Sequence, residues 1–354
     1  MDKLAIIAIT KNGIEIAKKI KPKFPACQIF APSKLSTGDP SINWFEESTT
    51  SKVGDLFKSH EALVCIFSLG AVIRLVAPHL KDKKTDPAVV VIDDTAKFVI
   101  STLSGHLGGA NQLSEEIAGV IGATPVITTA ADVNKTIAVD LVGREFGWQI
   151  DDDSTVTKIS AFMVNEEKIG LFQDAGERDW WLPKKELPKN VHVYSSLEEM
   201  SGSDCKGFLI ISDKKIHDGM VLGRAVVYRP KTLVVGVGLH WDTTKETIKE
   251  GLEFCLAKFG LSPKSVARFA SIKKEAQVEG LRQLAEEMKV PVDYYEKQDL
   301  AGITIPNPSD VVQTFEGTPS VSEASAIKSS GGKLVVEKQK FPPNLTIAIA
   351  RITK

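Results

Sequence analysis

The sequence predicts an α/β protein in three parts: an N-terminal, mostly parallel open sheet with helices on both faces, a small α/β middle domain and a C-terminal α/β domain. Three observations predict it. Short apolar runs of strand length alternate with runs of helical period along the chain. The runs are apolar at consecutive positions, as in Leu4-Ala5-Ile6-Ile7-Ala8-Ile9 and Ala88-Val89-Val90-Val91, which marks strands covered on both faces. At 354 residues the chain can bury two or three separate cores.

Residues 1–146 form the first part. Strands are expected at Leu4–Ile9, Leu63–Ser68, Ala88–Asp93, Phe98–Ser101 and Pro125–Thr129, and helices near Ile14–Ile20, Val72–Ala77, Gln112–Ile121 and Ile137–Phe146. Residues 147–229 open on Asp151-Asp152-Asp153. A helix near Val156–Val164 and short strands at Ile169–Phe172, Val191–Tyr194, Phe208–Ile211 and Ala225–Tyr228 follow. Residues 230–354 start with a strand at Thr232–Gly238 and a helix over about 244–258. Then come a strand at Val266–Ile272, a helix at Gln277–Lys289 and a strand at Val290–Tyr294. A helix at Ser322–Lys328 and strands at Lys333–Glu337 and Leu345–Ile352 end the chain.

Composition narrows the function. The chain is 43% hydrophobic and 25% charged with a net charge of −1, which gives no basis for non-specific nucleic-acid binding. No apolar run approaches the roughly 18–20 residues of a membrane span, and the N-terminus reads as a strand rather than a signal peptide. The four cysteines (Cys27, Cys65, Cys205, Cys255) are far apart and sit in apolar runs, so reduced, buried packing residues in a cytoplasmic protein are expected. Neither they nor the histidines show metal-ligand spacing, and no nucleotide fingerprint is present.

The most informative stretch is Ser104-Gly105-His106-Leu107-Gly108-Gly109-Ala110-Asn111, between a strand and a helix. Gly105, Gly108 and Gly109 allow close backbone approach. With Asn111 at a helix start they suit an anionic ligand or an oxyanion. His106 is a candidate acid or base, the alternative being a brace for the turn. Arg74, shortly after the Ser68-Leu69-Gly70 strand end, either forks onto a carboxylate or makes a structural ion pair. Thr128, Thr129 and Asp132 end another strand. Asp132 either orients His106, acts as a base, or caps a helix. Asp93-Asp94 reads as a turn. Lys81-Asp82-Lys83-Lys84 reads as a solvated loop or a steering patch.

Taken together, these phrases resemble the CbiG family, the cobalt-precorrin-5A hydrolases of anaerobic cobalamin biosynthesis. The resemblance runs through Gly70-Ala71-Val72-Ile73-Arg74, Asp86-Pro87-Ala88-Val89-Val90-Val91, the His106 turn and Pro125-Val126-Ile127-Thr128-Thr129-Ala130. It continues at Ala270-Ser271-Ile272, Glu279-Gly280-Leu281 and Ser320-Val321-Ser322-Glu323-Ala324. Three departures stand out. Ala96 replaces a usual glycine, Ala131 replaces a usual threonine, and Gly238-Leu239-His240-Trp241-Asp242 replaces a turn with two arginines.

The resemblance implies hydrolysis of a δ-lactone on a cobalt-corrinoid, a tetrapyrrole-derived ring, with loss of a two-carbon fragment as acetaldehyde. It implies His106 and Asp132 as catalytic residues. Substrate binding falls to Arg74, Gly105, Gly108, Gly109, Asn111, Thr128, Thr129, Ser271, Ser322 and Glu323. No cofactor is implied, because the cobalt arrives within the substrate. The expected partner is that small molecule, with no nucleic acid and no membrane. A homodimer and transient contact with neighbouring pathway enzymes are compatible with this. A non-catalytic corrinoid carrier is the alternative reading, favoured by the altered Gly238–Asp242 turn.

Overall fold

The computed structural model describes residues 3–82, 85–106, 108–181, 186–274, 278–309 and 318–353. The chain divides into two compact units, Met1–Leu141 and Val142–Lys354.

The first unit is a seven-stranded sheet in the order β3-β2-β1-β4-β5-β6-β7. Its strands are β1 (Leu4–Ala8), β2 (Gln28–Pro32), β3 (Ile42–Phe45), β4 (Ala62–Ile66), β5 (Ala88–Ile92), β6 (Phe98–Leu103) and β7 (Thr124–Val126). The helices are α1 (Lys11–Ile20), α2 (Thr49–Ser59), α3 (Leu69–Val76), α4 (Ala110–Ile121) and the single turn α5 (Ala130–Val133). Side chains alternate across the strands. Leu4, Ile6, Val64 and Val90 pack with α1 and α4 through Ile14, Ala17, Leu113 and Ile117. Ala5, Ile7, Cys65 and Val91 pack on the other face with α2 and α3 through Val53, Leu56, Val72 and Val76. This double covering is why β1, β4 and β5 are apolar at every position.

One feature of the sheet decides where the site lies. β1 to β5 run parallel, but β6 turns back antiparallel to β5, with Val89 opposite Leu103 and Ile92 opposite Val99. β7 is parallel to β6. The turn between β5 and β6 is built by Asp93. Its carboxylate accepts the backbone N–H groups of Thr95 (2.9 Å), Lys97 (2.9 Å) and Phe98 (2.6 Å). Ala96 sits in this turn with φ 56°, a left-handed conformation that favours glycine. The carboxyl ends of β6 and β7 therefore open at the sheet edge where β1, β4 and β5 begin.

The helix expected over Ile137–Phe146 does not form. Gly143 and Gly147 adopt positive φ (70° and 72°), and a short 3-10 turn at Arg144–Phe146 is all that remains. In this unit β2, β3, α2 and α5 are additional to the expected elements.

The second unit holds two five-stranded sheets. The first, ordered β10-β9-β11-β12-β8, comprises β8 (Gln149–Ile150), β9 (Ile169–Gln173), β10 (Val191–Tyr194), β11 (Gly207–Ile211) and β12 (Ala225–Arg229). Its helices are α6 (Val156–Val164), α7 (Leu197–Ser201) and α8 (Gly219–Leu222). The second, ordered β15-β14-β13-β17-β16, comprises β13 (Leu233–Leu239), β14 (Val266–Ile272), β15 (Val292–Tyr295), β16 (Lys333–Phe341) and β17 (Leu345–Arg351). Its helices are α9 (Lys245–Lys258), α10 (Glu279–Met288), α11 (Lys297–Ala301) and α12 (Val321–Ser330). Gln277, expected to open α10, lies outside the described residues, as do Leu107, Lys83 and Lys84. The two sheets are tied through buried Asp213, which pairs with Arg351 Nη2 (2.6 Å) and accepts from Thr232 Oγ1 (2.8 Å). All four cysteines are free and buried. Burial pushes the Cys255 thiol up to about 11 and raises Cys27 and Cys65, so these thiols stay protonated and inert. Among the described residues no helix is long and apolar enough to cross a membrane.

Candidate active site

The turn after β6 is shaped by its own packing. Ser104 takes φ 53° and its hydroxyl donates to Asp86 O (2.9 Å). A Cβ on Gly108 would lie 2.4 Å from Ser104 Cβ, and one on Gly105 would lie 2.6 Å from Asn111 Oδ1. Gly109 adopts φ 83° to start α4. The glycines are thus required by the turn itself. The N–H groups of Gly109, Ala110 and Asn111 donate to the carbonyls of His106, Ser104 and Gly105, at 3.0, 3.2 and 3.1 Å. Those three N–H groups are engaged within the turn and do not form the open anion cradle that the spacing suggested.

The tight turn aims His106 at two carboxylates. Nε2 lies 2.9 Å from Asp132 Oδ2, and Nδ1 lies 3.4 Å from Asp140 Oδ1. A neutral imidazole has one N–H and cannot donate to both, so this setting favours the doubly protonated ring. The His106 pKa is accordingly raised, chiefly by Asp140, against desolvation, with Asp132 adding to the rise. Asp140 contributes more despite its longer contact because it is the more enclosed carboxylate: 23% of its side chain is exposed, against 42% for Asp132 and 16% for His106.

Asp132 is held by a second donor. Asn111 Nδ2 donates to Asp132 Oδ2 (2.6 Å) and to Thr129 Oγ1 (2.9 Å), while Asn111 Oδ1 accepts from Ser101 Oγ (2.6 Å). Ser101, Asn111, Asp132, His106 and Asp140 therefore form one chain of polar contacts at the carboxyl ends of β6 and β7. Both described bonds to Asp132 fall on Oδ2, so among the described residues Oδ1 accepts no hydrogen bond. Asp132 also lies in α5, whose preceding residue Thr129 accepts the Asp132 N–H through its carbonyl (3.1 Å). Its carboxylate faces the histidine instead of capping the helix.

The structure brings together His106, Asp132, Asn111 and Thr129 from the sequence-derived set. It adds Ser101 and Asp140, which the sequence reading did not single out. Thr128 is exposed on the segment leading to α5. Arg74 stands apart. It is exposed in the last turn of α3, on the opposite sheet face from α4, and its Nη1 donates to Gly70 O (3.2 Å). The antiparallel return of β6 also puts the Ser68–Gly70 strand end at the other edge of the sheet from the His106 turn.

Three residues of the C-terminal part are corrected as substrate contacts, because all three are buried. Ser271 is buried and donates to Val237 O (2.7 Å). Ser322 is fully buried in α12. Glu323 is fully buried and accepts from Asn307 Nδ2 (2.8 Å) and the Lys338 N–H (3.1 Å), which compensates its charge inside the domain.

Comparison with known proteins follows the same segments. Residues 51–132 match the family model described as cobalamin synthesis G N-terminal, residues 137–230 the cobalamin biosynthesis central region, and residues 233–350 the cobalamin synthesis G C-terminus. The chain is 41% identical to the cobalt-precorrin-5A hydrolase of Priestia megaterium, covering 98% of this chain and 94% of that one. It is 30% identical to the cobalt-precorrin-5A hydrolase of Salmonella typhimurium, covering 95% and 94%. Among solved structures, a putative cobalamin biosynthesis protein G homolog from Sulfolobus solfataricus aligns over 99% of this chain and 98% of its own, at 22% identity and a TM-score of 0.38. With near full-length identity to two such hydrolases and all three family segments in order, the chain belongs to the CbiG family of cobalamin synthesis proteins.

Proposed function

We propose that this chain is a cobalt-precorrin-5A hydrolase, opening the δ-lactone of a cobalt-corrinoid and releasing acetaldehyde. The observation that carries this reading is its 41% identity to the Priestia megaterium hydrolase over 98% of the chain. The clamped histidine supplies an acid–base pair for the chemistry. The reaction is placed in the cytoplasm, and the cobalt enters as part of the substrate.

In this reading Asp132 is the base. Two contacts on Oδ2, from His106 and Asn111, fix the direction of the carboxylate and leave Oδ1 to take a proton from water. The water oxygen bonds to the lactone carbonyl carbon, and the ring C–O bond breaks. His106, held as a cation by Asp140, turns its Nε2–H from Asp132 to the leaving oxygen and protonates it. The proton on Asp132 then returns to His106 across their contact, which restores both groups. In the second step the freed hydroxyl loses its proton to Asp132. The carbon–carbon bond breaks to give acetaldehyde, its electron pair passes into the conjugated ring, and Asp132 gives its proton to that ring, which restores the carboxylate.

The test is anaerobic incubation with cobalt-precorrin-5A, followed by product mass and an acetaldehyde assay. One acetaldehyde per substrate is expected. Tight binding with neither acetaldehyde nor a change in mass would instead establish a carrier.

A further inference from the structure

A pocket of about 580 Å³ opens at the carboxyl end of β13, within the range of small-molecule sites. Strand register builds it. Gly238 pairs with Thr346, and Lys340 pairs with Thr346 from the other side, so the ends of β13, β17 and β16 form one floor. The start of α12 closes one wall with Ser320 and Val321.

The lining has two chemistries. Leu239, Val321, Phe341 and Leu345 give an apolar body, and Lys338 and Lys340 give a cationic margin. Lys338 is half-buried, and its ammonium donates to Asn307 O. Lys340 is exposed and meets no carboxylate within ion-pair distance among the described residues. Three acidic groups near this margin are engaged elsewhere, the first being Glu337, which accepts from Asn307 Nδ2 at 3.0 Å. Glu323 is fully buried on Asn307 and the Lys338 N–H, and Asp242 is paired with His240 Nδ1 at 2.7 Å. Lys340 is therefore left to meet a ligand's charge, with Lys338 beside it, and the apolar wall disfavours a small hydrophilic anion as the guest.

We propose that this pocket is a second ligand site, binding an apolar-bodied, carboxylate-edged lobe of a corrinoid through Lys338 and Lys340. The ligand's identity rests on the corrinoid reading above, while its shape and charge rest on the pocket alone. The site lies in the second unit, and all of its described groups are separate in sequence from the His106 cluster.

The probe is cobyrinic acid, a corrinoid polycarboxylate without the lactone, titrated into the full-length protein. Lys340 is exposed, so Lys340→Glu keeps the fold, and thermal melting checks this. Binding is expected to weaken fivefold or more in Lys340→Glu and to recover to within twofold of wild type in Lys340→Arg. A loss below fivefold in the folded Lys340→Glu variant, no recovery in Lys340→Arg, or no binding to wild type overturns the proposal. The acetaldehyde assay reads the hydrolase proposal separately. Lys340-dependent binding without acetaldehyde release keeps the pocket and rejects the hydrolase. Acetaldehyde release without Lys340-dependent binding does the reverse.

Discussion

The neighbours of His106 favour its charged form, and that makes it testable. A histidine whose folded pKa is raised stabilises the fold fully below its unfolded value, near 6.5, and loses that contribution as pH rises through the folded value. Asp140→Asn removes the largest cause of the rise. The His106 ring resonances, followed by NMR against pH, are expected to titrate lower in this variant than in wild type; an unchanged midpoint would remove Asp140 from the clamp. His106→Ala is expected to keep the fold and lower turnover by about 10²–10⁴. Arg74→Ala is expected to leave the single-turnover rate and the KM nearly unchanged, because the side chain sits on the other sheet face; a tenfold rise in KM would return it to the binding site. His106 and Asp132 were legible in the sequence, the first from its glycine turn and the second from its place after a strand end. Asp140 was missed although a signal existed. It is an ionisable group inside the apolar run Ile137–Val142, where it requires a partner.

Among the elements, the turn between β5 and β6 matters most, since it reverses β6 and so sets the edge on which the His106 cluster forms. Ala96 holds a left-handed conformation there. Ala96→Gly relieves the Cβ penalty, offset in part by glycine's greater chain entropy. A net gain of about 0.5–1 kcal/mol is expected, read as a higher Tm. A lower Tm would show that this backbone is not strained. The sequence identified the strands on either side of the turn by their apolar runs but not their relative direction, because side-chain alternation is the same in parallel and antiparallel pairs. β3 escaped notice because Asn43 interrupts a four-residue edge strand, and α2 because its first turn, Thr49-Thr50-Ser51, is poor in helix formers despite the Ser48 cap. The helix read into Ile137–Phe146 failed at Gly143, whose positive φ ends any such run.

At the scale of the whole molecule, His106, its carboxylate contacts Asp132 and Asp140, and the Ser101–Asn111 pair that holds Asp132 all lie within the first unit. That unit has apolar cores on both faces of its sheet. The α/β class and the apolar strands of the three sheets, β2, β3 and β8 excepted, were readable from sequence. The grouping of side chains around His106 was not, because it depends on β6 and β7 running against β1–β5. The measurement that tests the central claim most directly is single-turnover release of acetaldehyde from cobalt-precorrin-5A by wild type and by Asp132→Asn under anaerobic conditions. The account predicts one equivalent from wild type, and from the folded variant a rate lower by about 10²–10⁴. Equal rates from the two proteins would contradict it.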